Sequence, residues 1–235
     1  MKKATAALLV LVALIGAAMF WLSGNIDGLI RSAIADYGSA MTQAKVSVGA
    51  VKIAPVDGKG TLADIFIGNP AGFRTAHAMK VGRIDVDIDI ASIARDVVLI
   101  RRIAIVAPDV NYEMGSAMTN FDAIQKNIAG YLGPAGSGKE QGGIKLIVEE
   151  LTIRQARAQA SAAFTGGKTV SVTLPDITLK NIGKAKGGIT PGELGQHVAG
   201  ALKAKLAASV NFDKLLQSGS GAAGKAGTAV KGLFK

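Results

Sequence analysis

The alternation of apolar and polar residues is clearest between Arg83 and Ile90, where it predicts a β-strand. The apolar side chains fall on one side of this strand and the carboxylates on the other: Ile84, Val86, Ile88 and Ile90 against Asp85, Asp87 and Asp89. Because neighbouring side chains of a strand point to opposite faces, one face should be buried and the other wet.

Similar patterns predict further strands along the chain, separated by Gly, Pro and Asn turn residues such as Asp57–Gly60 and Gly68–Gly72. We expect strands at Lys45–Ile53 and Thr61–Ile67, and a strand or a bulged pair at Val97–Val106 that continues in extended form through Pro108–Glu113. The segments Ile144–Ile153 and Thr169–Lys180 are expected to supply at least two more strands. In the first of these, Val46, Val48 and Val51 share one face only if the strand is locally irregular. The first two strands are expected to pair as a hairpin or near neighbours.

Three helices are predicted, at Ile26–Tyr37, at Asn120–Leu132 and from Pro191 to about Leu216. Thr119 is a suitable N-cap for the second, and Ile124 and Ile128 give it an apolar stripe. The third begins with Thr190-Pro191-Gly192-Glu193, which has the form of a capping box with proline in the first turn.

Two predicted strands repeat the same apolar spacing, Ile100–Ile105 and Val148–Ile153. This weak internal echo suggests two related strand units, although the match is too short to prove a duplication.

The N-terminal region contains a run of 19 uncharged residues, Ala4–Leu22, preceded by Lys2 and Lys3. At 1.5 Å per residue this run nearly spans a bilayer core of about 30 Å. The positive residues before the run predict a cytoplasmic N-terminus and an exported body. The residues expected to lie in the bilayer as a membrane anchor include Leu8, Leu11, Leu14, Phe20 and Trp21.

A cleaved signal peptide is the alternative to this anchor, because Gly16-Ala17-Ala18 resembles a cleavage site. The apolar run continues beyond that site through Met19–Leu22, which favours an uncleaved transmembrane helix.

Composition places the chain among β-rich proteins with an aliphatic core. Apolar residues make up 49% of the chain but aromatic residues only 5%, and 30 residues are glycine, which favours strands with many turns. The expected fold is α+β and β-rich, with an N-terminal transmembrane helix followed by a curved antiparallel sheet and two or three packing helices. We expect a tip and anchor at 1–24, one β-rich body at 25–216, and a flexible basic tail rich in Gly, Ala and Lys at 217–235.

The formal net charge of +10 is compatible with nucleic-acid binding or with attraction to anionic lipid head groups. Several of the lysines lie in a C-terminal stretch poor in aromatic residues, with no clear recognition helix, which argues against nucleic acid. Cysteine is absent, so disulfides, thiolate metal sites and cysteine nucleophiles are excluded.

Candidate catalytic and ligand-binding patterns are incomplete. The segment Gly133–Lys139 resembles a phosphate-binding P-loop, but Glu140 replaces the required Ser or Thr, and the segment follows a helix instead of a strand. The aspartates at 85, 87 and 89 could face a hard cation, but no calcium-loop pattern completes them, and a solvated face is the simpler interpretation. His77 and His197 are expected to be surface or helix residues. We therefore expect no enzymatic activity, no metal and no cofactor.

Several motifs in sequence order, between Gly58 and Asn127, resemble the AsmA-like family of bacterial envelope proteins, especially its short members. They are Gly58–Leu62, Ile67–Pro70 with Gly72-Phe73, the strand from Ile84 to Asp89, Ser92, Ile100, Ile103, Ile105, Pro108–Glu113, Asn120 and Asn127. The N-terminal hydrophobic run matches that family in position.

This resemblance implies a single-pass inner-membrane protein with a periplasmic body, associated with outer-membrane biogenesis. In long relatives it implies a curved sheet whose apolar groove carries lipid. This chain lacks the hundreds of residues of repeated strands of those relatives, so it could not bridge two membranes alone. The family motifs are structural, so no catalytic residue carries over.

Two functions follow as expectations. The first is binding of a phospholipid or other acyl lipid on an apolar sheet face formed around Ile84, Val86, Ile88 and Ile90. That face could equally be ordinary core covered by a helix, since the pattern is the same in both cases. The second is a scaffold that recruits another envelope protein through a strand edge or the C-terminal helix.

Overall fold

The computed structural model describes residues 26–133, 144–162 and 169–210, and within them the chain is an α+β protein with one mixed sheet and three helices. The strands are β1 (Val46–Ala54), β2 (Lys59–Ile67), β3 (Met79–Ile88), β4 (Val97–Val106), β5 (Asp109–Met114), β6 (Lys145–Arg154), β7 (Arg157–Ala162), β8 (Thr169–Thr173) and β9 (Ile177–Ile182). The helices are α1 (26–42), α2 (Asn120–Leu132) and α3 (Pro191–Ser209).

The sheet is mixed, so the expectation of an antiparallel sheet is wrong for two of its pairs. Strands β4 and β6 are parallel, as are β5 and β7, whereas the other pairs are antiparallel. Parallel neighbours need a long crossover connection, and here the chain between β5 and β6 contains α2. The sequence already predicted a helix between two strands, which is the arrangement that such a crossover needs.

The internal echo corresponds to two strands that lie side by side. Ile100 is opposite Val148, Ile103 opposite Leu151, and Ile105 opposite Ile153 in the parallel β4–β6 pair. Because both strands pack against the same core at the same height, they need apolar residues at the same spacing. The echo is therefore explained by shared packing.

The strand pairing is interrupted along one row of residues that crosses the sheet, and we call this row the crease. The row consists of Gly49, Asp64, Gly82, Ala107, Gln155 and Pro175. Asp64, Ala107 and Gln155 have φ angles of 53°, 49° and 55°, in the left-handed region. Such a residue changes which alternate positions face inward, so Ile153 and Ala156 are both buried despite their odd spacing. The irregularity predicted between Val48 and Val51 is part of this row.

The capping predictions for α2 and α3 are confirmed. The hydroxyl of Thr119 accepts a hydrogen bond from Asp122 N, and that of Thr190 accepts one from Glu193 N; both capping boxes are complete. The two helices are joined by an ion pair of 2.5 Å between Lys203 Nζ and Asp122 Oδ1. This ties the start of α2 to the second half of α3.

Helix α1 covers the free edge of β1. The backbone N–H of Ile53 donates to Asp27 Oδ1 at 3.0 Å, and that of Val46 donates to Ser39 Oγ at 2.9 Å. These side chains replace a neighbouring strand and close that edge to further pairing.

Some predictions fall on residues outside the described ranges. They concern the anchor residues Leu8, Leu11, Leu14, Phe20 and Trp21, most of the P-loop-like segment, and the tail at 217–235. Among residues 26–133, 144–162 and 169–210, no helix combines the length and apolarity needed to cross a bilayer.

Candidate functional site

The predicted apolar face of β3 is only partly covered, and its exposure increases along the strand. Val81, before the crease, is 2% exposed. Ile84, Val86 and Ile88 are half-buried against the core, and Ile90, just beyond the strand, is 44% exposed. Of the four predicted residues, the first three are thus half-buried and the last, Ile90, is exposed.

The same gradient appears on neighbouring strands. On β6, Val148 is buried, Leu146 is half-buried and Ile144, just before the strand, is 62% exposed. On β1, Val51 is buried and Ile53 half-buried. Half-buried Leu62 and Ile103 continue the face on β2 and β4, next to Ile84 and Val86 in the register. Sequence reasoning singled out only the β3 members.

Gly60 is a point of close packing in this face, beside Val86. The two residues are paired across β2 and β3, and a Cβ added to Gly60 would lie 3.1 Å from Ile53 Cδ1. A larger side chain there would have to displace Ile53. The absence of a side chain at the buried Gly60 therefore lets Ile53 pack closely beside Val86.

The opposite face of β3, expected to be solvated, is half-buried and ion-paired. Arg83 Nε donates to both oxygens of Asp85 at 2.9 Å, and this hydrogen bonding lowers the pKa of the Asp85 carboxyl. Arg101 Nη1 lies 3.8 Å from Asp87 Oδ1, and Arg101 Nη2 lies 3.4 Å from Asp89 Oδ2. These carboxylates have arginine partners, and within the described residues no cluster of His, Asp and Glu has a metal-binding arrangement.

The far end of the sheet contains a buried polar network. The carboxylate of Glu113 accepts hydrogen bonds from Arg74 N (2.7 Å), Thr75 N (2.8 Å) and Thr75 Oγ1 (2.6 Å). Asn120 is fully buried; its Oδ1 accepts from Glu113 N, and its Nδ2 donates to the side chain of Asn69 and to the backbone of β5. These groups are occupied by structural hydrogen bonds and hold α2 and the β2–β3 loop on the sheet.

The two histidines differ in environment. His77, predicted at the surface or on a helix, is instead buried, with its Nε2 3.0 Å from Asn111 Nδ2. His197 is on α3 and exposed, as predicted. It borders a cleft of about 640 Å³ between α2, α3 and β9, where the Glu193 carboxylate is already engaged with Thr190 N and Lys186. The hydrogen bond from Thr190 N lowers the pKa of Glu193, so this carboxyl is a poor candidate for acid catalysis.

Comparisons with known proteins found no matching family model and no similar curated protein.

Proposed function

We propose that this chain is a membrane-anchored, non-enzymatic protein of the bacterial cell envelope that binds the acyl chain of a lipid on its half-covered sheet face. Its N-terminus would lie in the cytoplasm and its body in the periplasm, on the outer side of the inner membrane. The observation that supports this function best is the graded exposure of the apolar face from Val81 to Ile90.

The chemistry of the face suits an acyl chain. Its half-buried members on β1 to β4 are aliphatic: Ile53, Leu62, Ile84, Val86, Ile88 and Ile103. None has a side-chain hydrogen-bonding group, so a polar ligand lying there would lose its bonds to water without replacement. A hydrocarbon chain would remove apolar surface from water at a gain of about 25 cal/mol per Å².

The anchoring part of the proposal is based on the sequence. The run Ala4–Leu22 is long enough for a bilayer, and Lys2 and Lys3 favour an exported body. The resemblance to the AsmA-like family supports the same location and a role in envelope biogenesis. Three of its motif residues, Asn69, Glu113 and Asn120, make buried structural hydrogen bonds, in keeping with motifs that do not form an active site.

The test is mass spectrometry of lipid that co-purifies with the full-length chain. We expect stoichiometric lipid with the parent protein and loss of most of it in the Val86→Asp/Ile88→Asp double variant, because two carboxylates would be desolvated by a bound acyl chain. The matched control is Val106→Asp/Val170→Asp, which makes the same kind of change at two exposed valines off this face.

Circular dichroism must show that each variant is folded. If the aspartate pair unfolds the body, Val86→Thr/Ile88→Thr replaces it, with a smaller expected loss of lipid. Lipid retained by a folded face variant at the level of the control would refute the groove, as would a parent protein that purifies without lipid.

A scaffold for another envelope protein is the second candidate, and the outer edge of the sheet favours it. Within the described residues, β8 and β9 each pair on one side only, with β7 and β6. A strand from a partner could add to this edge. Photocrosslinkers at Ser171 and Thr178 would then capture one protein in place of lipid. Leu174 N donates to Ala156 O, so the N–H of Thr173 faces away from β7, and replacing Thr173 by proline would weaken the capture by removing a backbone donor from the free edge.

A further inference from the structure

We infer that one end of the sheet rests on the surface of the bilayer, through an apolar tip formed by Val56, Ile90, Ile93 and Ile144. This inference rests on the proposed membrane anchor and goes beyond the lipid-binding face, because it assigns the orientation of the body and a second contact with lipid.

The exposure of large apolar side chains is concentrated at this end. Within the described residues, five of the seven exposed ones lie there: Leu29, Val56, Ile90, Ile93 and Ile144. Val56 is 88% exposed and Ile93 is 55% exposed. The other two, Val106 and Val170, lie at the crease and on β8. Scattered apolar residues are normal on a surface, but a contiguous group indicates a contact site.

The members of the tip come from three connections that touch one another. Ile88 N donates to Gly58 O in the β1–β2 turn at 2.7 Å, and a Cβ on Gly58 would lie 3.0 Å from Ile90 Cγ1. Lys145 N donates to Asp96 O at 3.3 Å, joining the start of β6 to the β3–β4 connection. The exposed side chains therefore belong to one continuous end of the molecule.

The position of α1 identifies the bilayer as the occupant. Its first turn lies at this same end, because Asp27 Oδ1 accepts a hydrogen bond from Ile53 N. Only Ser23, Gly24 and Asn25 separate the apolar run from residue 26. The four steps from Leu22 to Ile26 span at most about 14 Å. An anchor that ends at Leu22 would thus hold the tip close to the head groups.

The charges around the tip are mixed, so its binding to the bilayer should depend on insertion of the apolar side chains and not on net charge. Exposed Lys59, Arg95 and Lys145 can reach lipid phosphates with their long side chains, whereas Asp57 and Asp96 are also exposed. A protein partner would not require the tip to be beside the anchor. The half-covered face on β3 runs directly into this tip, so an acyl chain could pass between bilayer and face without crossing water.

The absence of cysteine allows a direct test with single labels. Full-length protein with Val56→Cys, Ile93→Cys or Ile144→Cys carries a bimane label and is reconstituted in vesicles of phosphatidylethanolamine and phosphatidylglycerol. Val106→Cys and Val170→Cys are the matched controls, since they too replace exposed β-branched apolar residues. We expect lipids with a nitroxide in the upper acyl chain to quench the three tip labels several-fold more than the two controls.

Equal, weak quenching at all five positions in protein that resists carbonate extraction would overturn the tip contact and leave the anchor standing. Tip labels that are shielded from water but not quenched would show that a protein or a second copy covers the tip, which also overturns the inference. Extraction of the parent protein by carbonate would refute the anchor and, with it, the inference about the tip, whereas binding of an acyl chain on the sheet face is decided by the lipid that co-purifies.

Discussion

The side-chain amide of Asn120 donates a hydrogen bond of 2.8 Å to the side-chain oxygen of Asn69, which lies 51 residues earlier in the chain. The same amide donates to Asn111 O at 2.7 Å. Asn120 begins α2, Asn69 lies in the β2–β3 loop, and Asn111 is in β5. One buried amide therefore positions a helix, a loop and a strand relative to each other.

Replacement of Asn120 by alanine should lower the free energy of unfolding by about 2–4 kcal/mol, because it leaves several buried polar groups without partners. Urea unfolding followed by circular dichroism measures the change. Gln159→Ala is the control, since Gln159 is exposed on β7 and should stay within about 0.5 kcal/mol of the parent. An Asn120→Ala variant as stable as this control would contradict the importance of the network.

The crease predicts that two alanine-to-glycine substitutions differ in the direction in which they change the free energy of unfolding. Ala107 has a φ of 49°, which is unfavourable for residues with a Cβ, so Ala107→Gly should be neutral or stabilise by up to about 1 kcal/mol. Ala104, three residues earlier in β4, lies in regular strand, and Ala104→Gly should destabilise by about 0.5–1 kcal/mol. Thermal unfolding of both variants tests this, and equal destabilisation would show that Ala107 is not strained.

Local signals in the sequence predicted much of the fold. Thr119 and Thr190 marked the starts of α2 and α3, because a capping residue acts on its own helix and needs no distant partner. The segment Thr169–Lys180, predicted to be extended, forms two strands, since the residues around Pro175 cross the crease. The left-handed residues Ala107 and Gln155 carried no sequence signal, because neither is a residue type that favours this conformation.

The candidate face was predictable in part, because alternation along a strand is also a local signal. Alternation on β3 identified Ile84, Val86 and Ile88 from local pattern alone, but it could not distinguish a covered face from a half-covered one. That distinction depends on where α1, α2 and α3 end relative to the sheet. The tip residues Val56 and Ile144 lie in a turn and just before a strand, where no periodic pattern singles them out.

The carboxylate of Asp122 predicts a dependence of stability on pH. Burial would raise its pKa, but hydrogen bonds from Lys203 and Thr119 outweigh burial and lower it. A carboxyl with a depressed folded-state pKa contributes stability above its unfolded pKa of about 3.9, and this is lost as the pH falls through the folded value.

Asp122→Asn should therefore be less stable than the parent by about 1 kcal/mol between pH 6 and 8, and the difference should shrink below about pH 4. Urea unfolding at a series of pH values measures it. Asp57→Asn, in the exposed β1–β2 turn, is the control and should match the parent throughout. A pH-independent deficit in Asp122→Asn would attribute its effect to packing and not to charge.

The membrane orientation can be tested independently of any lipid-binding experiment. An alkaline phosphatase domain fused after Lys235 should be active, because Lys2 and Lys3 retain the N-terminus in the cytoplasm and the body follows on the exported side. The intact mass of the membrane-extracted protein should include residues 1–18, since Met19–Leu22 extends the apolar run beyond the possible cleavage site.

Replacing Lys2 and Lys3 by asparagine should reduce phosphatase activity at equal protein level, because it removes the charge difference that orients the span. The matched control replaces Lys184 and Lys186 of the body, which lie far from the run in sequence and should not affect orientation. A mature protein that begins at Met19 would mean a cleaved signal peptide. The body would then not be tethered beside a bilayer, and the inference about the apolar tip would fall with the anchor.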